Sequence, residues 1–489
     1  MKYPRHHLAL ALFMLGSANP ALAAPQQADL ILRHVTMIDV EKGRAIPEQA
    51  VVIKGDTIVA TGNDKIVSRA WKAGQTVEGN GRYLIPGLWD MHVHFGGGPE
   101  LVDENKALLP LYIANGITSI RDCAGDLPHQ VLGWRDDINQ GRLFGPTLYT
   151  SGPKIEGIKP VWKGTIEAGS KTDVDAAITQ LKGLKVDFVK ITDSTLDPTL
   201  YLYAISKARR EGLLVSGHIP YALTIDQAVD AGMSSIEHLD YAFKAGVRDE
   251  AVLAADFAAG KLTRGAVQDK IDAGFDPATA TAAYKKMAAN RVFVTPTLSI
   301  SRTIAYLDKD DHSKDPELAF IGPKLRATYQ WRVDRAAKAT AKEKIARHRH
   351  FEQMAAIVPM LRKEGVTIMA GTDAGFLNSY DYPGFALHDE LAQYVRYGMT
   401  PADALRSATR AGPDWFGKLD RYGAIGQGKA ADLVLLERNP LKDISATKSI
   451  RMVILRGKTH DRAALDGLLA TAQAQVATWN SIAGTKQLN

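Results

Sequence analysis

Between residues 86 and 415 the sequence repeats one texture, a short apolar run followed by a longer stretch with apolar residues at helical spacing. The runs are "GLWDMHVHF", "GITSIRDCAG", "PTLYTSG", "VDFVKI", "LLVSGH", "SSIEHLD", "VFVTPTLS" and "VTIMAGTDAG". Segments such as "DVDAAITQLKGL" and "PTLYLYAISKARREG" lie between them with a helical period. Apolar runs of this length between helices predict buried parallel strands. Eight such strands are the number that closes a (β/α)8 barrel, and a doubly wound open sheet is the structural alternative.

The two ends read differently. "LILRHVTMIDV" and "AVVIKGDTIVATG" alternate apolar and polar residues between Gly, Asn and Asp turns, and the pattern returns in "GKAADLVLLERNP" and "SIRMVILRGK". The predicted fold class is therefore α/β: a (β/α)8 TIM-like barrel with a small β-sandwich domain formed from N- and C-terminal segments. The boundaries are 25–85 for the first part of the sandwich, 86–415 for the barrel and 416–489 for the second part with a C-terminal helix. A chain of 489 residues, 45% of them hydrophobic, suits one large domain and a smaller one.

Residues 1–24 form a segment of another kind. Lys2 and Arg5 precede an apolar stretch from Leu8 to Leu15 and then Ala21-Leu22-Ala23, the three regions of a cleavable signal peptide. The expectation is a secreted or periplasmic protein cut near Ala23 or Ala24. The apolar stretch is far shorter than the ~20 residues of a membrane span, and no later segment is long and apolar enough for one. Cleavage removes two basic residues and no acidic ones, taking the formal charge from +6 to +4. Without a basic run, this excess implies no nucleic-acid partner. The single cysteine, Cys123, excludes an internal disulfide and reads as a small packed residue.

Residues suited to metal binding fall where the strands run out. His92 and His94 end the first strand and, two apart, share a face. Lys190 ends the fourth, His218 the fifth, His238 the sixth and Asp373 the eighth. In a (β/α) barrel those ends gather at one face. Imidazole and carboxylate groups suit zinc-like ions, with coordination left open for water. Asp373 is placed to hold that water and move its proton. An ammonium beside divalent cations is repelled, so Lys190 should be a neutral amine, able to add carbon dioxide and become an anionic, bridging carbamate.

The longest connection, Ser301 to Gly365, is charged and helical; its early part, Tyr306 to Lys324, is a candidate lid. His348 and His350 form a second H-x-H there, but helical spacing turns them apart, and they read as surface residues.

Together "LIPGLWDMHVHFGG", "SGHIP", "SIEHLD", "AGTDAG" and the tail "GAIGQGKAADLVLLERNPLKDI" resemble the amidohydrolase superfamily, specifically its imidazolonepropionase-like and Xaa-Pro dipeptidase branch of metal-dependent amidases. The resemblance runs from about residue 29 to 460. It implies two divalent metal ions, zinc by default. His92 and His94 would hold the more buried ion, His218 and His238 the more exposed one, with Lys190 as the carbamylated bridge and Asp373 as ligand and general base. It further implies hydrolysis of an amide or peptide bond by a metal-bridging hydroxide, with His238 polarising the scissile carbonyl. Similar exported members act on small dipeptides, including Xaa-Pro, or N-acyl amino acids and recognise a carboxylate, for which Tyr221 and Arg302 are candidates. Arg121 is as suited to a structural ion pair, and His388 and Glu390 begin a helix that can line the pocket. The alternatives are a lactonase or esterase on the same metal centre and a non-catalytic binding protein. Homo-oligomer formation is left open.

Overall fold

A computed structural model describes residues 25–486; the segment read as a signal peptide lies outside them. The expected apolar runs form parallel strands. In chain order these are Leu88–His94, Ile117–Asp122, Thr147–Thr150, Val189–Ile191, Val215–Gly217, Ser235–Glu237, Phe293–Thr295 and Ala374–Gly375. The strands are short and largely buried, as in a sheet covered on both faces, and helices such as Lys171–Gly183 and Pro198–Arg210 return the chain between them.

Hydrogen bonding divides the strands into a four-stranded and a six-stranded sheet. Two elements missed at the sequence level, Ile155–Glu156 and Ile166–Glu167, belong to the six-stranded sheet, with Ile155 paired to Ile191 of the fourth parallel strand. The sheets meet through residues 367–370. Val294 N donates to Thr367 O at 3.0 Å, Met369 N to Val294 O at 2.9 Å, and Met91 N to Ala370 O at 2.8 Å. Asp187 N donates to Thr150 O at 3.0 Å where the third strand approaches the fourth. The closeness of the eighth run to the first requires Gly371, where a Cβ would lie 2.8 Å from His92 N.

Inside, side chains stack in levels. Trp89 and Met91 join Tyr149, Phe188, Phe293 and Trp415 in a buried apolar cluster. Above it the Arg121 guanidinium lies 4.7 Å over the Trp415 ring and meets the Glu237 carboxylate at 2.8 Å, both side chains fully buried. A register shift between Asp90 and Val93 interrupts the alternation, which lets Met91 join the cluster below while His92 turns to the site above.

The chain ends meet in a single eight-stranded, mostly antiparallel sheet. Tyr83–Pro86 stands at its junction, parallel to Gln26–Asp39 and antiparallel to Leu433–Leu436. Leu32, Val51, Ile53, Leu84, Leu433 and Ile454 form its own apolar cluster. The long connection folds into helices, among them Gln330–Lys338 and Ala341–Ala355. Its candidate lid is held at its middle and its C-terminal end: Tyr382 Oη donates to Asp315, and Lys324 N and Leu325 N donate to the Glu104 carboxylate. Among the described residues no helix is long and apolar enough to cross a membrane.

Candidate metal centre

The six strand-end groups come together. Nε2 of His92 and Nε2 of His94 lie 3.3 Å apart, and Asp373 Oδ1 lies 3.1 Å from the first and 2.8 Å from the second. His218 and His238 face each other through Nε2 atoms 3.0 Å apart, and the His92 and His238 rings have centroids 5.0 Å apart. His92, His238 and Asp373 can each offer a ligand atom within 4.8 Å of the others. Lys190 is 1% exposed, and its charge is felt at His92, His218 and His238.

Two orphaned atoms test whether a metal fits. Asp373 Oδ1 and Lys190 Nζ are buried without a hydrogen-bond partner, a costly state unless another group engages them. Donors sharing one zinc-like ion at 2.0–2.1 Å sit roughly 3.0–3.4 Å apart at angles of 90–109°, close to the separations here. The residues present therefore suit divalent ions.

The far sides of these candidate ligands are fixed by residues that strand alternation does not disclose. His92 Nδ1 donates to Glu237 Oε2 at 2.8 Å, which leaves Nε2 for a metal. Glu237 also accepts from Arg121 at 2.8 Å and from the Ser216 and Ser235 hydroxyls at 2.7 Å. His238 Nδ1 is held by Thr297 Oγ1 at 2.8 Å, and His218 Nδ1 faces Asp193 Oδ1 at 3.6 Å. Asp90 accepts from His92 N and from the amide and hydroxyl of Thr372, joining the first and eighth strands. His238 and Asp373 have φ of 70° and 68°, a left-handed backbone that non-glycine residues adopt at a cost. The turn at His238 lets Glu237 and its neighbour both serve the site, against the alternation of a regular strand.

Burial and neighbouring charge set the ionisation. Burial pushes His218 down to about 4 and holds His238 well below its ordinary value, so both imidazoles are neutral at pH 7. Burial also lowers Lys190, favouring its neutral amine. For Asp373 burial acts upward, but the imidazoles of His94 and His92 outweigh it and hold the carboxyl well below its ordinary value.

The remaining candidates separate. Tyr221 shares with His238 a cavity of about 220 Å3 bounded also by Tyr241, Lys244 and Gln268, and its hydroxyl donates to Gln268 at 2.7 Å. Arg302 pairs with Asp310 at 3.0 Å and lines a different cavity with Tyr380 and Asp381. His388 is turned to Thr447 of the C-terminal segment, at 3.0 Å, rather than into the cluster. Glu390 accepts from Leu298 N and Ser299 N, holding the helix after the seventh strand. Arg121 makes the structural ion pair. Cys123 is buried and unpaired. His348 and His350 are partly buried and turned to different partners: His348 meets Asp308 at 2.8 Å, and His350 bridges Asp240 and Asp272 at 2.8 Å each.

The model of the amidohydrolase family matches residues 83–460, most of the chain, including every one of these strand ends. The chain belongs to the amidohydrolase family. It is by that membership a hydrolase. The ochratoxinase of Aspergillus niger is 22% identical over 484 residues, covering 88% of this chain and 86% of that one. Among solved structures, a Xaa-Pro dipeptidase with methionine in its active site superposes with a TM-score of 0.64 at 21% identity, covering 88% of this chain and 99% of its own. A bottromycin amidohydrolase superposes with a TM-score of 0.70 at 22% identity, covering 91% and 90%. At these identities the structures establish a shared fold.

Proposed function

We propose that this amidohydrolase is binuclear and hydrolyses the amide or peptide bond of a small substrate, a dipeptide such as Xaa-Pro or an N-acyl amino acid. The observation that carries the reading is the meeting of His92, His94, His218, His238 and Asp373 around the buried, unpartnered amine of Lys190. On this reading the two parallel sheets are the arcs of one eight-stranded barrel. His92 and His94 hold one divalent ion, His218 and His238 the other, and Lys190, as a carbamate, and Asp373 complete the set; zinc suits these donors.

Bound there, the ions would polarise the scissile carbonyl and lower the pKa of water toward about 7. The protein's own groups do the rest. Glu237 and Thr297 fix His92 and His238 in the tautomer whose Nε2 carries a lone pair. The ionised Asp373 takes the proton of the attacking water and returns it to the leaving amine. Tyr221, on the wall of the cavity that includes His238, is the candidate contact for the substrate's carboxylate. Residues 1–24 are read as an export signal, so the reaction takes place outside the cytoplasm.

A mass-spectrometric screen of the zinc-loaded protein without residues 1–24, against dipeptides and N-acyl amino acids, tests the proposal. Cleavage products that disappear in Asp373→Asn are expected. Turnover of lactones or esters with no turnover of amides would overturn it.

A further inference from the structure

A second cavity, of about 320 Å3, lies between the helix that follows the seventh strand and the loop that follows Asp373. Its walls include Arg302, His312, Glu317, Tyr380, Asp381 and Tyr382. The cations near it already have partners. Arg302 is held by Asp310 at 3.0 Å, and Lys448 by Asp389, itself a lining residue, at 2.6 Å.

The acceptors are left over. His312 Nδ1 lies 2.8 Å from Asp315 Oδ2, the Nδ1–H tautomer leaves Nε2 as an acceptor, and that atom is buried without a partner. Asp381, 3% exposed, has Oδ2 without a partner. Glu317 makes no ion pair among the described residues. Besides the Ser299 hydroxyl, the groups that act on Asp381 include the carboxylates of Glu390, Asp373 and Asp90. The rings of Tyr380, Tyr382 and Phe385 complete the lining. Buried acceptors without donors, uncompensated acid and aromatic faces are what an ammonium group needs.

We propose that this cavity binds an organic ammonium ion, through Asp381, His312 and Glu317, with its apolar part against Tyr380 and Tyr382. The amine can belong to the substrate or to a separate effector. If it is the substrate's, the inference rests on the hydrolytic reading and selects dipeptides with a free amino end over N-acyl amino acids.

Calorimetric titration of the full-length mature protein with 2-phenylethylamine and with 2-phenylethanol, its neutral counterpart, provides the test and needs no turnover. The amine should bind saturably and at least tenfold more tightly than the alcohol. Asp381→Asn should weaken the amine about tenfold, and Glu317→Gln, at the half-buried wall where folding is not at stake, several-fold. Equal binding of amine and alcohol, no saturable binding, or an unchanged affinity in both variants would overturn the proposal. Competition identifies the source: displacement by Gly-Pro but not by N-acetyl-Gly-Pro assigns the amine to the substrate, and displacement by neither supports a separate effector. Binding that persists while the protein cleaves no amide would remove the proposed hydrolytic reading and leave the ammonium site standing.

Discussion

Glu237→Gln should damage the protein in two separable ways. In the fully buried pair, Arg121 donates to both carboxylate oxygens at 2.8 Å, Ser216 and Ser235 donate to Oε1, and His92 Nδ1 donates to Oε2. The amide removes the charge that compensates a guanidinium with no exposed surface, a loss of about 3–5 kcal/mol of folding free energy. The amide must also choose an orientation. With its NH2 at the Oε1 position, the two hydroxyls can rotate to accept, and His92 keeps its tautomer. With its NH2 at the Oε2 position, it faces His92 Nδ1 and drives the proton to Nε2, the atom aimed at the metal. Either way the ring is less firmly held, and a lost outer hydrogen bond of this kind weakens metal binding about 10–100-fold. Guanidinium denaturation of chelator-treated protein reads the first effect, and zinc competition with a chromophoric chelator reads the second. Arg121→Leu combined with Glu237→Gln should recover part of the stability but not the zinc affinity, because the buried charge is gone while His92 remains unsupported. A single variant within about 1 kcal/mol of the parent, with unchanged zinc affinity, would refute the reasoning.

Other substitutions follow from the same geometry. Lys190→Met removes a buried amine without a partner, so the metal-free protein should be at least as stable as the parent by denaturation while bound metal, by elemental analysis, falls from two equivalents. Asp373→Asn should lower turnover by about 10²–10⁴-fold, with metal content kept above that of Lys190→Met. His350 is raised to about 10 by Asp240 and Asp272, although its own burial opposes this. Its folded pKa exceeds the ordinary 6.5, so the clamp's stabilisation is complete below about pH 6.5 and lost as pH rises through about 10. The gap between parent and His350→Asn should thus be on the order of 2 kcal/mol at pH 6, reduced from the full shift because Asp240 is nearly half exposed, and should close toward pH 10.5.

The convergence of the six groups was legible because their residue types recur at strand ends, where only the i, i+2 rule and the strand order are needed to bring them together. Glu237 was hidden by that same rule. Next to His238, it should point to the opposite face, and only a positive φ, which sequence does not announce, turns both to one centre. Thr297 and Asp193 are common residues whose importance depends on where the seventh and fourth strands stop. The clamp on His350 was out of reach because its partners, Asp240 and Asp272, come from helices distant in sequence. Ile155–Glu156 and Ile166–Glu167 are too short for periodicity to register. Asp310 and Thr447, the partners that hold Arg302 and His388, could not be read from the sequence.

The junction strand Tyr83–Pro86 sets a condition on biosynthesis. It leads within two residues into the strand that carries His92 and His94, yet one of its hydrogen-bonding edges is completed only by Leu433–Leu436. A ribosome that stalls before codon 433 therefore releases a product holding all six strand-end groups, with an open edge just upstream of the first two. Until Leu433–Leu436 has been made, that edge offers unpaired backbone groups to any other strand, so the last part of the chain is what protects the first.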